Sequence, residues 1–310
     1  MATETFHTLI ARNKRNSALL IVLFSLVLVG LGLVIGYAWG GDMSFSVTVA
    51  VGAAILAFIM TMVGYYGGDS VLLSVSGARQ VTKQEDPQLF NVIEELTLAA
   101  GTPLPRIFVI DDSAMNAFAT GRNPEHATVA ITTGLRQRLN RDELQGVMAH
   151  ELWHVRNYDI LFAMLTAVMV GVIVMLADVF LRSLWYGGGR RRSSRRDGRG
   201  GGGQVILVLI ALVLAILAPI LAKLIQLAIS RQREYLADAA GVELTRNPRG
   251  LASALAKLAG DTEVLEAANR ATAPLYIVNP FKSARQRTDS LFSTHPDIRD
   301  RIQRLMSLES

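Results

Sequence analysis

The 310-residue chain contains no cysteine, only 18% charged residues and only 7% aromatic residues. The missing cysteine excludes disulfides, thiolate metal sites, cysteine nucleophiles and iron–sulfur clusters. Any metal must therefore be held by histidine or carboxylate. The compartment stays open, because a chain without thiols folds in either redox environment. The charge content lies below the ~25% usual for soluble domains, and the mean hydropathy is +0.33. Together these exclude a disordered chain and argue against an ordinary soluble globule.

The formal net charge of +5 traces to one segment. Residues 187–203, GGGRRRSSRRDGRGGGG, hold six arginines against one aspartate, and the remainder carries 25 basic and 25 acidic residues. A low-complexity Gly/Arg loop is not a basic face of a folded surface, so nucleic acid is not expected as a partner.

Four apolar runs account for the hydropathy. Residues 17–39 and 43–66 are free of charge; residues 160–185 carry Asp178 and Arg182 near their end; residues 204–222 stop at Lys223. As a helix the first run extends ~35 Å, enough for ~30 Å of hydrocarbon. Four such runs in a chain this short read as membrane spans in a lipid bilayer. The first is too long for a signal peptide and is followed by no A-x-A site. Gly32, Gly36 and Gly40 recur every four residues, which favours close helix approach. Arg12, Lys14 and Arg15 precede the first run, placing the N-terminus and residues 69–159 in the cytoplasm. If the third and fourth runs both cross, the arginine-rich loop lands outside, against the same rule.

Two polar blocks remain, 69–159 and 231–310. Asp86-Pro87 followed by Leu89, Val92, Ile93 and Leu96 predicts a capped helix that Gly101 and Pro103 end. Residues 106–111, 115–120 and 127–133 read as short strands, with a turn at Gly121–Pro124. Asn140 with Glu143 three residues on predicts a capping box and a helix from Arg141. Asn247-Pro248 and Gly260 bound a further helix, and a last one starts near 294–296. Each block is small for a core of its own, so the expectation is one domain interrupted by the second hairpin. The chain then divides into an N-terminal transmembrane hairpin (1–68), a first catalytic half (69–159), a second hydrophobic hairpin (160–230) and a second catalytic half (231–310).

The chemistry concentrates at His150-Glu151-Leu152-Trp153-His154. Residues 150 and 154 lie one helical turn apart on one face, so two imidazoles can hold one ion without backbone strain. Glu151 is offset by ~100° yet within reach of a water activated by that ion. A catalytic zinc site needs a third protein ligand and an open position. Glu234, in Ser230–Asp238 (SRQREYLAD), is one candidate, with Asp238 a turn further to orient a ligating ring. On spacing alone Glu234 is as well read as a partner of Arg231 or Arg233, and Asp159 is a rival ligand that points off the histidine face.

HELWH at 150–154 after DELQGVMA, then RQREYLAD at 231–238, resembles the HtpX-type membrane zinc endopeptidases, relatives of the CAAX prenyl endopeptidases. NAFATG at 116–121, THPDIRDRI at 294–302 and the two-plus-two arrangement of apolar runs match as well. The resemblance covers nearly the whole chain. It implies one zinc ion per chain on His150, His154 and Glu234, with Glu151 as general base. It also implies proteolytic quality control of misfolded or damaged membrane proteins, or unfolded polypeptides, at the bacterial inner membrane, with the active site facing the cytoplasm. The fold expected is a mainly α membrane protein with four transmembrane-length helices. An α+β zincin-like domain with a small sheet completes it, split by the second hairpin. Two features depart from the family: the Gly/Arg loop at 187–203, and Trp153 where smaller residues are usual. A substrate segment is expected beside the strand at Asn116, Ala117 and Phe118, through main-chain bonds to its edge. His295 has three readings: a catalytic donor to the oxyanion, a helix cap, or a side chain that occupies the ion's open position. A non-catalytic scaffold with structural zinc leaves Glu151 without a purpose. A channel component is disfavoured by spans with so few ionisable residues.

Overall fold

A computed structural model describes residues 6–188, 231–268, 272–281 and 296–309. The fourth apolar run, nearly all of the Gly/Arg loop and His295 lie outside the described residues. Helix α1 (Phe6–Gly40) and helix α2 (Met43–Val75) form an antiparallel hairpin. Both are long and apolar enough to cross a membrane. Their outward faces leave Leu26, Ile55 and Phe58 more than half exposed, as expected where lipid is the solvent. A Cβ at Gly32 would stand 2.8 Å from the Ala53 Cβ, and one at Gly36 would stand 2.7 Å from the Ser46 Cα. Glycine spacing thus sets the approach of the two helices.

Strand β1 (Ala78–Gln80), helix α3 (Pro87–Ala100) and strands β2 (Arg106–Ile110), β3 (Ala117–Gly121) and β4 (Ala127–Thr132) follow. The sheet order is β1-β2-β4-β3, with β2 and β4 parallel and the outer pairs antiparallel. Asp86 caps α3 by accepting the Leu89 N–H at 3.0 Å, and Gly101, at φ +64°, ends it. Residue 133, read as strand from sequence, instead opens the short helix α4 (Thr133–Arg138), because the Thr132 side chain caps it. β1 is too short to give a sequence signal.

Helix α5 (Arg141–Arg156) starts at the expected capping box. The Asn140 side chain accepts the Glu143 N–H at 2.9 Å, while Glu143 accepts the Asn140 N–H at 2.8 Å. Glu143 also accepts from Ser253 at 2.6 Å and from Lys257 at 2.7 Å, which ties α5 to helix α8 (Pro248–Gly260). Burial pushes the Glu143 carboxyl up, but Lys257 and the other donors hold it below its ordinary value. Its stabilisation is present above the ordinary carboxylate range and fades as pH falls through the lowered pKa. Replacing the cap, Asn140→Ala, is expected to cost about 1 kcal/mol in urea unfolding of the detergent-solubilised protein.

Helix α6 (Asp159–Gly188) covers the third apolar run and leaves α5 at an 83° bend. The joint is Asn157-Tyr158, with Tyr158 in the left-handed region at φ +60°. Helix α7 (Arg231–Thr245), α8 and helix α9 (Ile298–Met306) complete the described chain. One apolar core combines α3, α5 and the sheet with Leu251, Leu255, Leu258 and Leu305 from the C-terminal block. A second joins α1, α2 and α6 through Leu20, Phe24, Ala57, Leu72, Leu161 and Leu165.

Candidate metal centre

Helix α5 is buried on almost every side, and His150 and Glu151 are 1% and 2% exposed. One turn separates His150 from His154, and their Nε2 atoms stand 3.2 Å apart. Helix α7 crosses α5 closely enough that a Cβ on Gly241 would meet the His150 backbone nitrogen at 3.3 Å. That crossing brings Glu234 to the pair: its carboxylate oxygens lie 3.7 Å from His150 Nε2 and 3.6 Å from His154 Nε2. Two nitrogens bound to a tetrahedral zinc at ~2.0–2.1 Å lie about 3.3 Å apart, so the spacing is that of a ligand set. Among the described residues these three form the one group of histidines and carboxylates with such convergence.

The ring orientations point the same way. His150 Nδ1 is 2.9 Å from Asp238, and His154 Nδ1 is 3.0 Å from Asp159. With each Nδ1–H engaged by a carboxylate, both Nε2 lone pairs turn to the shared centre, the arrangement a divalent ion requires. Asp159, the rival ligand on spacing, thus sits behind His154 rather than in front of it. Burial pushes the Asp238 carboxyl up, and Arg301 and His150 outweigh it and hold it low. Burial lowers His150. It acts likewise on His154, but the bond to Asp159 and the nearby Glu234 carry that ring up to about 9.

Glu151 faces the cleft beside His150, His154 and Glu234. Burial pushes its carboxyl up to about 7, against the pull of His154 and a hydrogen bond from the Ala119 N–H. The cleft lies between α5, the β3 edge, Ile160 and Ala163 of α6, and the segment Pro274–Ile277. Register along β3 turns the main-chain groups of Ala117 and Ala119 to its outer edge. That edge is not free along its whole length. The Ala117 carbonyl accepts the Ile277 N–H at 3.0 Å, so only the part beyond it borders the cleft. Asn116 is 1% exposed and donates to the Val278 carbonyl at 3.2 Å. Phe118 stacks edge-on against Tyr276, with ring centroids 5.1 Å apart. Both side chains hold the 276–278 segment instead of facing the cleft.

Arg301 went unnoticed in the sequence. It is 1% exposed and grips Asp238 twice, at 2.8 and 2.7 Å, with the Ile277 carbonyl at 3.2 Å and Glu234 at 3.6 Å. The signal was present: Ile298, Arg301, Ile302 and Leu305 share one helical face, and an arginine on an apolar stripe needs a buried partner. Trp153 packs with Leu9 and Ala237, and its ring meets His154 edge-on at 5.4 Å.

Residues 83–309 match the family model of Peptidase family M48. The chain is 44% identical over 308 residues to a "Protease HtpX homolog" of Caldanaerobacter subterraneus subsp. tengcongensis, covering 99% of each. It is 45% identical over 306 residues to one of Dictyoglomus thermophilum, covering 98% of this chain and 95% of that one. Among solved structures it resembles S. mikatae Ste24p in fold, with a TM-score of 0.50 at 20% identity, covering 96% of this chain and 66% of the other. The convergent histidines, the buried glutamate and the two membrane-length helices therefore belong to a metalloprotease of the HtpX kind, and the chain is a member of peptidase family M48.

Proposed function

We propose that the protein is a zinc endopeptidase of the bacterial inner membrane that cuts misfolded or damaged membrane proteins on the cytoplasmic side. One observation carries the reading: His150, His154 and Glu234 converge beside Glu151 where α6 begins its apolar run. When bound there, a zinc ion supplies Lewis acidity, making a water acidic and a peptide carbonyl electrophilic. Glu151 takes the proton of that water and passes it to the leaving amine. Ala119 fixes the carboxylate through its N–H. Arg301 and Asp238 keep His150 in one tautomer, and Asp159 does the same for His154.

A peptide lies along the part of the β3 edge beyond Ala117, where main-chain bonds demand no particular sequence. Ile160 and Ala163, at the root of α6, form one wall of its path. Chains cut there must reach the membrane surface, which suits membrane proteins with exposed loops. Helical spans, unlike closed strands, fit an inner membrane. The described residues supply two or three crossings by length and composition. His295, outside the described residues, is assigned as a donor to the oxyanion.

Purified protein in detergent is expected to digest casein, to stop in the presence of a chelator and to recover with zinc. Intact casein after zinc loading would exclude the endopeptidase reading.

A further inference from the structure

Residues 6–16 of α1 precede its apolar run, and Leu9 and Asn13 among them touch the helices that carry the candidate metal residues. Leu9 packs on Trp153 and Ala237. Asn13, one turn on, is 2% exposed. Its Nδ2 donates to the Asp159 Oδ1 at 2.6 Å and to the Asn157 carbonyl at 2.8 Å. Its Oδ1 accepts from Arg233 Nη1 at 3.3 Å, and the same guanidinium reaches Asp159 at 3.1 Å. The other oxygen of Asp159 engages His154 Nδ1. Lys14 lies 4.1 Å from the centroid of the Tyr158 ring, over the left-handed residue of the bend.

We infer that Asn13 is a positioning residue for the metal centre: the N-terminal membrane helix sets the rotamer of Asp159, and through it the ring of His154. Asp159 stands at the first turn of α6, beyond an 83° corner, so α5 alone does not fix it. Asn13 bridges both sides of the corner, with one proton to the Asn157 carbonyl and one to the Asp159 carboxylate. An asparagine buried with both amide protons and its oxygen engaged has a single orientation. Partners behind a ligating histidine contribute ~10–100-fold to metal affinity. Asn13 acts one step further out, so the low end applies.

The inference rests on zinc binding at His150, His154 and Glu234, and the test separates the two. Full-length protein in detergent is titrated with zinc against a competing chelator, and the cobalt-substituted form is examined by visible absorption. Asn13→Ala is expected to lose about tenfold in zinc affinity and to shift the cobalt bands. Ser17→Ala removes the hydroxyl bond to the Asn13 carbonyl, one turn along the same face, without touching Asp159. It keeps wild-type affinity. Unchanged affinity and spectrum in Asn13→Ala overturn the inference, as does an equal loss in Ser17→Ala, which would mark α1 as packing alone. Should Asn13→Ala fail to accumulate, Asn13→Asp conserves shape while setting a carboxylate against Asp159, and its affinity decides by the same criterion. Wild-type protein that binds no zinc would sink the metal reading itself, a result distinct from either.

Discussion

Glu151→Gln is expected to retain zinc and to lose casein cleavage by about 10²–10⁴-fold in kcat, the range that a positioned general base contributes. Glutamine has the same volume, and its amide oxygen still accepts the Ala119 N–H that the glutamate accepts. What it cannot do is take a proton. The variant also has a stability signature. In metal-free protein the carboxyl is pushed up to about 7 by burial, so the folded state binds its proton more tightly than the unfolded chain. Folding then loses stability as pH rises from the ordinary carboxylate range through 7, and the cost is complete above it. Chelated Glu151→Gln escapes that cost and should unfold at a temperature equal to or above the wild type at pH 8. Full activity in this variant would end the general-base assignment, whatever its stability.

Glu234→Gln should show the second large effect, a loss of zinc affinity beyond the ~100-fold upper limit for outer partners of a ligand. The substitution removes the negative charge that two neutral imidazoles need opposite a divalent ion. It leaves the shape, and Arg301 keeps its two bonds to Asp238, so no buried cation is orphaned. Metal content after dialysis against a weak chelator reads the result. Glu243→Gln, exposed on the same helix, should retain the wild-type content. Undiminished zinc in Glu234→Gln would move the third ligand elsewhere and remove the basis of the proposed chemistry.

What the sequence made legible is what local spacing encodes. Asn140 and Glu143 mark the start of α5, and His150 and His154 face one way, because a helix has one period. Asp86, Gly101 and Gly260 bound their helices for similarly local reasons. The rest of the site depends on contacts that no period announces. Asn13 meets partners 144 and 146 residues away, hidden among Arg12, Lys14 and Arg15 as one more polar residue before a span. Arg301 reaches His150 across 151 residues, and only its place on an apolar stripe betrays it. The β3 edge looked open because nothing in residues 276–278 signals that Ile277 will bond to Ala117.

The order of the pieces along the chain has its own consequence. Both imidazoles precede α6, whereas Glu234 and Arg301 follow it. During translation, a ribosome that has released His150 and His154 has still to deliver the third and fourth apolar runs before Glu234 emerges. On the proposed ligand set, the nascent chain stays latent until Glu234 is made, after its apolar runs have been synthesised.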